Sequence, residues 1–229
     1  MTSGGFGKGR ARRGGSNWRD RSGRDEAIIS KKEISNTSNQ NGLMQDDFEL
    51  RLSQQELDFS DCIIVEIRCN NFVMQQAKFK NSSLNDFVIK DADLRGCDFD
   101  SAELISCEFD DVDLEHCNFS KTSASGLLIK NANLKSSKLM GADLSSSEFV
   151  DVDLAGSCFD SSNLSGAKFK DTDLSNTTFL DCDLKRVSFC EVYFNHTDFS
   201  ASNISGVQFE NCEGSILIDG ELCSPEDLA

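Results

Sequence analysis

From Phe59 to Phe209 a large apolar residue, with few exceptions, returns at every fifth position. The run opens with Phe59, Ile64, Cys69, Met74, Phe79, Leu84 and Ile89, and it closes with Phe189, Phe194, Phe199, Ile204 and Phe209. Between 79 and 209 the register holds for 27 consecutive pentads without an insertion. Two residues before each centre sits a small side chain, as at Ala92, Cys97, Ala102, Cys107, Val112 and Cys117. The positions between them are mostly polar. A period of five matches neither the 3.6 of a helix nor the 2 of a strand. The chain must therefore turn about once per pentad, with two side chains of five pointing inward.

A second period, of twenty, lies over the first. One column of centres reads Phe79, Phe99, Phe119, Leu139, Phe159, Phe179 and Phe199. The opposite column reads Ile89, Phe109, Ile129, Phe149, Phe169, Phe189 and Phe209, and the remaining two are nearly all Leu. Two facing Phe columns and two facing Leu columns fill every coil alike, which favours regular stacking. The composition follows from this: 13 of the 17 Phe are centres, beside a single Tyr, Trp and Pro. A dry stack suits Phe, leaves a Tyr hydroxyl or Trp N–H without a partner, and loses a rung donor at each Pro.

The unit Ala-Asp/Asn-Leu-x-x, seen in Ala92-Asp93-Leu94, Ala132-Asn133-Leu134, Ala142-Asp143-Leu144 and Ser162-Asn163-Leu164, resembles that of the pentapeptide-repeat family. The resemblance covers residues 59–209 and implies an all-β fold, a right-handed quadrilateral β-helix with four pentads to a coil. On that reading the repeats make about 7.5 coils, roughly 36 Å of stack at the ~4.8 Å strand spacing. Ile67, Phe72 and Phe87 take positions meant for small residues, so distortion is expected in the first coils. Ala124, followed by Gly126-Leu127-Leu128, underfills one corner and predicts a bulge or bend.

Outside the repeats the chain divides into a basic Gly/Arg/Ser-rich tail (1–42), an N-terminal cap (43–58) and a C-terminal cap (213–229), with the β-helix spanning 59–212. The tail has the composition of a disordered segment. In 43–58, Phe48, Leu50 and Leu52 alternate as in a strand, whereas Ser53-Gln-Gln-Glu56 has the form of a helix-starting capping box; both remain open. Ile216-Leu217-Ile218 before Asp219-Gly220 reads as a strand and turn closing the last coil, and pairing of that strand across a homodimer is equally open.

Charge separates tail from body. Residues 1–32 carry nine Lys/Arg against three Asp/Glu, and residues 33–229 carry 14 against 36. The body would repel nucleic acid and favour a basic protein partner. The Lys8-Gly-Arg10-Ala-Arg12-Arg13 stretch has the opposite preference, and Arg10, Arg12 and Arg13 are candidate nucleic-acid contacts. No apolar run approaches the ~20 residues of a membrane span, and the first residues lack a secretory h-region. A cytoplasmic protein is expected, with organelle targeting by the Arg-rich tail left open.

Catalysis finds little support. His116 and His196 lie 80 residues apart, four coils on one edge of the stack, and cannot share a site. Cys62, Cys97, Cys107, Cys117, Cys182 and Cys212 fall on the small inward position and read as buried hydrophobes, with Cys190 and Cys223 the more exposed thiols. No Cys-x-x-Cys pair suggests zinc. Neither cofactor nor metal is expected, and flat rungs do not converge the 6–8 oxygens of a calcium site.

The informative outside feature is a paired acid ahead of one Leu column: Asp91 and Asp93, Asp111 and Asp113, then Asn131 and Asn133, Asp151 and Asp153, Asp171 and Asp173, and Glu191. The residue just before the centre is the default of the resembled family, whereas the one three before it is expected to be less required by the fold, and both are expected to face outward. A non-catalytic interaction scaffold with a rigid acidic surface is the first functional reading. The second comes from the resemblance, whose best-known members bind type II topoisomerases: a DNA-mimicking ligand or inhibitor of DNA gyrase or topoisomerase IV.

Overall fold

A computed structural model describes residues 42–228. The fold is a right-handed quadrilateral β-helix of about eight turns. One helix, α1 (Gln45–Ser53), precedes it. One face of the stack opens with β1 (Ile63–Val65), β3 (Ser83–Asn85) and β5 (Glu103–Ile105), which pair in parallel and continue as single bridges from Glu103 through Ser123, Asp143, Asn163 and Asp183 to Asn203. The widest sheet has eight strands. They are β2 (Arg68–Val73), β4 (Val88–Asp93), β6 (Glu108–Asp113), β7 (Leu128–Asn133), β8 (Glu148–Asp153), β9 (Lys168–Lys170), β10 (Ser188–Cys190) and β12 (Gln208–Glu210). At the C-terminal end, β11 (Tyr193–Asp198), β13 (Glu213–Ile218) and β14 (Glu221–Cys223) form a third sheet. Partners sit twenty residues apart along the repeats, as in Phe109↔Ile129 and Ala132↔Val152, so the twenty-residue period is the coil.

Inside, the Phe columns stack. Phe79, Phe99 and Phe119 lie nearly parallel, face to face, with centroids 4.9 and 4.7 Å apart, as do Phe149 and Phe169 at 4.8 Å. These separations equal the strand spacing, so the backbone ladder sets the ring stacking. The two columns meet edge-on across the core, Phe99 to Phe109 at 6.0 Å and Phe159 to Phe169 at 6.3 Å. The aromatic column is interrupted once, where Ile129 and Leu139 fill the layer between Phe119 and Phe149.

The turn between faces has a single backbone signature. From Asp61 to Asn211, the residue two after every centre has a positive φ, 31 pentads in succession. The left-handed region disfavours most L-residues and is least costly for Gly, Asn and Asp. Those three types supply six, seven and five of the corners for Gly, Asp and Asn in turn, and both histidines of the chain stand at such corners. The fivefold period is thus a repeated left-handed kink.

A second device lies at the small inward position. Ser137, Ser162, Thr177 and Thr197 donate their hydroxyls to the carbonyl 23 residues earlier, at 2.8, 2.6, 3.0 and 2.7 Å. Cys97, Cys117 and Cys182 do the same with their thiols at 3.1, 3.1 and 3.0 Å. Small polar residues therefore enter a dry core with their donors satisfied.

Several expectations need correction. Residues 45–53 are helical, so the alternation of Phe48, Leu50 and Leu52 is not a strand; Phe48 alone of them is fully buried, its ring tilted against Phe59 with centroids 4.8 Å apart. Ser53 ends α1 rather than capping its start, and its hydroxyl donates to the Leu50 carbonyl. The first coils are in register, with Cys69↔Ile89 and Phe72↔Ala92. Phe87 is accommodated in the core beneath α1, where it packs edge-on against Phe48 and Phe79, each at 5.8 Å. No bulge marks Ala124. Its neighbour Leu127 is buried in the small position, the two sizes are exchanged, and the β6–β7 ladder continues. The register shift lies instead between Phe194 and Thr197, where β11 meets β13. There Gly214 stands where the next Leu-column centre is due, and a Cβ on it would lie 1.5 Å from the Phe194 carbonyl oxygen. The column stops because the backbone itself occupies the space of a side chain.

Candidate functional site

The paired acids fall on one face, spanning the second halves of β4, β6, β7 and β8 and the bridges Asp153↔Asp173↔Tyr193. Across its outward positions from 91 to 213 this face carries eleven carboxylates against Arg95 and Lys135. The neighbouring face, on the widest sheet, is neutralised within itself: Lys90 meets Glu108 at 3.2 Å and Asp110 at 3.6 Å, and Lys168 meets Glu148 at 2.6 Å. Such exposed pairs add little stability, but they leave no field of one sign.

The acids form two lines with different environments. In the inner line, Asp93 keeps only 6% of its surface exposed. Its carboxylate receives Arg95 through two hydrogen bonds, 2.9 and 2.7 Å, and Gln75 at 2.7 Å. Burial acts to raise the Asp93 carboxyl, but the Arg95 and Gln75 bonds outweigh it and hold it below the ordinary range. Asp113 accepts from Asn133 at 3.0 Å and from the Glu115 amide at 3.2 Å. Burial first, with the Asp93 charge adding to it against that amide bond, pushes the Asp113 carboxyl up. Asp153 binds Lys135 at 2.7 Å, and Asp173 accepts from the amide and hydroxyl of Ser175 at 2.8 and 2.6 Å. Each inner acid or amide also caps the amide two residues on, an Asx turn that locks the corner.

The outer line is Asp91, Asp111, Asn131, Asp151, Asp171 and Glu191, mostly exposed. Every one has a positive φ, from 49° to 58°. The acid three before the centre therefore has a backbone reason to be Asp or Asn, contrary to the expectation that the fold requires it less. The signal was present in the sequence as the Gly/Asn/Asp enrichment at this one pentad position.

A feature that sequence reasoning missed is a groove of about 670 Å³ at the C-terminal end of this face. Asp171, Glu191, Tyr193, Asn211, Glu213 and Glu226 line it. Asp171, Glu191 and Asn211, like Tyr193 and Glu213, are rung neighbours twenty residues apart, and Glu226 joins them from the short 3-10 helix Pro225–Leu228, where the C-terminal segment closes over the last coils. Tyr193 is the one Tyr of the chain.

The remaining candidate chemistry is dispersed. All ten Cys are free thiols. Burial pushes Cys107 and Cys182 up to about 12 and Cys69 up to about 11, which makes them poor nucleophiles. His116 lies near Glu115 and His196 against Asn195 at 2.8 Å, at corners four coils apart. Among the described residues no group of three His, Cys, Asp or Glu is arranged to hold a metal ion, and no helix is long and apolar enough to cross a membrane. Arg10, Arg12 and Arg13 lie outside the described residues.

Two family models match the sequence: a pentapeptide repeat region over residues 142–215, and pentapeptide repeats (8 copies) over 73–109, 88–120 and 107–145. No curated protein matches. Among solved structures, trypsin-treated QnrB1, a plasmid-mediated fluoroquinolone resistance protein, is 18% identical, with 69% of this chain and 85% of that one covered at a TM-score of 0.38. HetL, a pentapeptide repeat protein involved in heterocyst differentiation regulation from the cyanobacterium Nostoc sp. strain PCC 7120, is 16% identical, with 79% and 100% covered at a TM-score of 0.30.

Proposed function

Because the chain belongs to the pentapeptide-repeat family, matched from residue 73 to 215, we propose that it is a non-catalytic scaffold presenting a rigid acidic face to a basic protein partner. The observation that carries this reading is the charge imbalance of one face, eleven carboxylates to two cations, beside a sheet whose charges are paired internally. Asp91, Asp111, Asp151 and Asp171 are the contact line. Asp93, Asp113, Asp153 and Asp173 brace it from behind through their bonds to Arg95, Asn133, Lys135 and Ser175. The hydrogen-bonded rungs keep the acids in place, so little ordering entropy opposes docking.

The alternative, a DNA-like ligand of a type II topoisomerase such as DNA gyrase or topoisomerase IV, draws on the regular acid spacing. B-DNA carries a charge every ~1.7 Å. The outer line offers at most one per rung, every ~4.8 Å, and the inner acids are already engaged. The scaffold reading needs no such match.

The full chain and a variant with Asp91, Asp111, Asp151 and Asp171 changed to Asn separate these readings in a pull-down. Salt-sensitive capture of a protein by the natural chain, lost in the variant, supports the scaffold. Equal capture by both sinks the acidic face as the contact. A gyrase supercoiling assay that stays unaffected at micromolar protein removes the mimic.

A further inference from the structure

We propose that the N-terminal tail docks in cis on the acidic face, with Arg10, Arg12 and Arg13 seated in the groove around Tyr193, so that a partner must displace it. The docking stands on its own observations; its regulatory meaning rests on the scaffold reading above.

The groove carries four carboxylates and no cation among its lining residues, around the half-buried ring of Tyr193. That combination suits a guanidinium, which forks onto carboxylates and stacks on aromatic faces. The same chain supplies guanidinium. Residues 1–41 hold nine Lys/Arg against four Asp/Glu, and Arg10, Arg12 and Arg13 are its densest cluster.

Reach is sufficient. The described chain begins at Gly42, and Leu43 joins the first coil by bonding the Ile63 carbonyl at 2.6 Å. From that coil to the rung of Tyr193 is about 6.5 coils, roughly 31 Å at the strand spacing. The 28 residues between Arg13 and Gly42 can extend to at most ~95 Å. Attachment to the same chain gives the tail an effective concentration on the order of millimolar, so even weak charge pairing fills the groove.

Trp18, the only Trp, lies five residues from Arg13 and makes the tail observable in the intact protein. The measurement is Trp18 fluorescence anisotropy of the full chain at about 0.05 M and at about 1 M salt, where screening shortens to ~3 Å. We expect anisotropy to fall at least about twofold with salt, since the docked tail rotates with the body and a released one does not. The salt response should be lost in an Arg10→Gln, Arg12→Gln, Arg13→Gln chain, whose changes lie outside the described fold. It should be lost again in a Glu191→Gln, Glu213→Gln chain.

A salt-invariant anisotropy overturns the proposal, as does a response that survives either set of changes. A response that grows with protein concentration assigns the tail to a second copy, and one removed by nuclease assigns it to nucleic acid; both overturn docking in cis. A pull-down with only Asp91, Asp111 and Asp151 changed to Asn leaves all four groove carboxylates intact, so loss of partner capture and loss of tail docking are read independently.

Discussion

The unbroken left-handed corner predicts that removing a methyl group at one exposed corner and adding one at another change stability in opposite directions. Ala201 is exposed and has φ 59°, so its methyl sits in a conformation that L-residues disfavour. Its amide donates to Asp219 Oδ1 at 3.1 Å, a bond that Ala201→Gly keeps. The left-handed cost is about 1–2 kcal/mol for an L-residue. The extra freedom of glycine in the unfolded chain offsets about 0.4–1 kcal/mol of that. Ala201→Gly should therefore stabilise the protein by roughly 0.5–1 kcal/mol, or ~1–4 °C in Tm for a domain of this size. Gly126 supplies the reverse test. Its φ is 73° and a Cβ there meets nothing within 4 Å, so Gly126→Ala should lose the same amount with no clash to blame. Urea unfolding followed by far-UV circular dichroism gives both midpoints, and unchanged slopes show that the midpoints report stability rather than a change in the surface exposed on unfolding. A neutral or destabilising Ala201→Gly, or a neutral Gly126→Ala, would refute the corner argument. With it would go the explanation of why the outer acids are Asp and Asn.

The remaining predictions concern the core, the inner acids and the C-terminal stop. Phe99 is fully buried between Phe79 and Phe119, so Phe99→Ala should cost about 3–5 kcal/mol in urea unfolding, while Phe99→Leu, the residue that position 139 already uses, should cost much less. Asp113, whose carboxyl is raised in the fold, destabilises as pH climbs through its folded pKa. Asp113→Asn should therefore raise the urea midpoint at neutral pH, and the gain should fade as the medium is acidified through that pKa. Asp93 has the opposite sign: its carboxyl is lowered, so its stabilisation is present above the ordinary Asp value and lost as pH falls through the folded one. Asp93→Asn should lower the midpoint at neutral pH and change little in strong acid. Gly214→Ala should destroy hydrogen-exchange protection in β13 and β14, since its Cβ would collide with the Phe194 carbonyl; retained protection there would show that the stop has another cause.

The core was readable from the chain because its rule is local and repeats. Phe79, Phe99 and Phe119 stack where their twenty-residue spacing places them, and the ladder confirms the coil. The ends were harder. Phe48, Leu50 and Leu52 carry no repeat to fix a period, and α1 forms because its Phe48 face can close over Phe59 and Phe87. Gly214 was silent for a related reason, as its role depends on the backbone of the coil beneath it. On the acidic face the pattern of residue types was visible, but not its division into lines. Asp91 is the left-handed corner residue and Asp93 stands two residues after it, and knowing which of the two is the more buried requires φ. At the groove the twenty-residue spacing already places Asp171, Glu191 and Asn211 in one line, but Glu226 closes it only because the last segment folds back, which no spacing in the sequence announced.

The Ile129 and Leu139 layer has a mechanical consequence. Neighbouring coils hold each other through their shared interfaces, so the strength of the rod along its axis is set by its weakest joint rather than by its mean. The aromatic stack reaches Phe119 from one side and resumes at Phe149, and the coil between also carries Ala124 where the others carry larger centres. Pulled from its two ends, the solenoid should part first at that coil. It would yield two folded aromatic segments joined by a short extended tether, with the acidic face cut between Asp113 and Asp151.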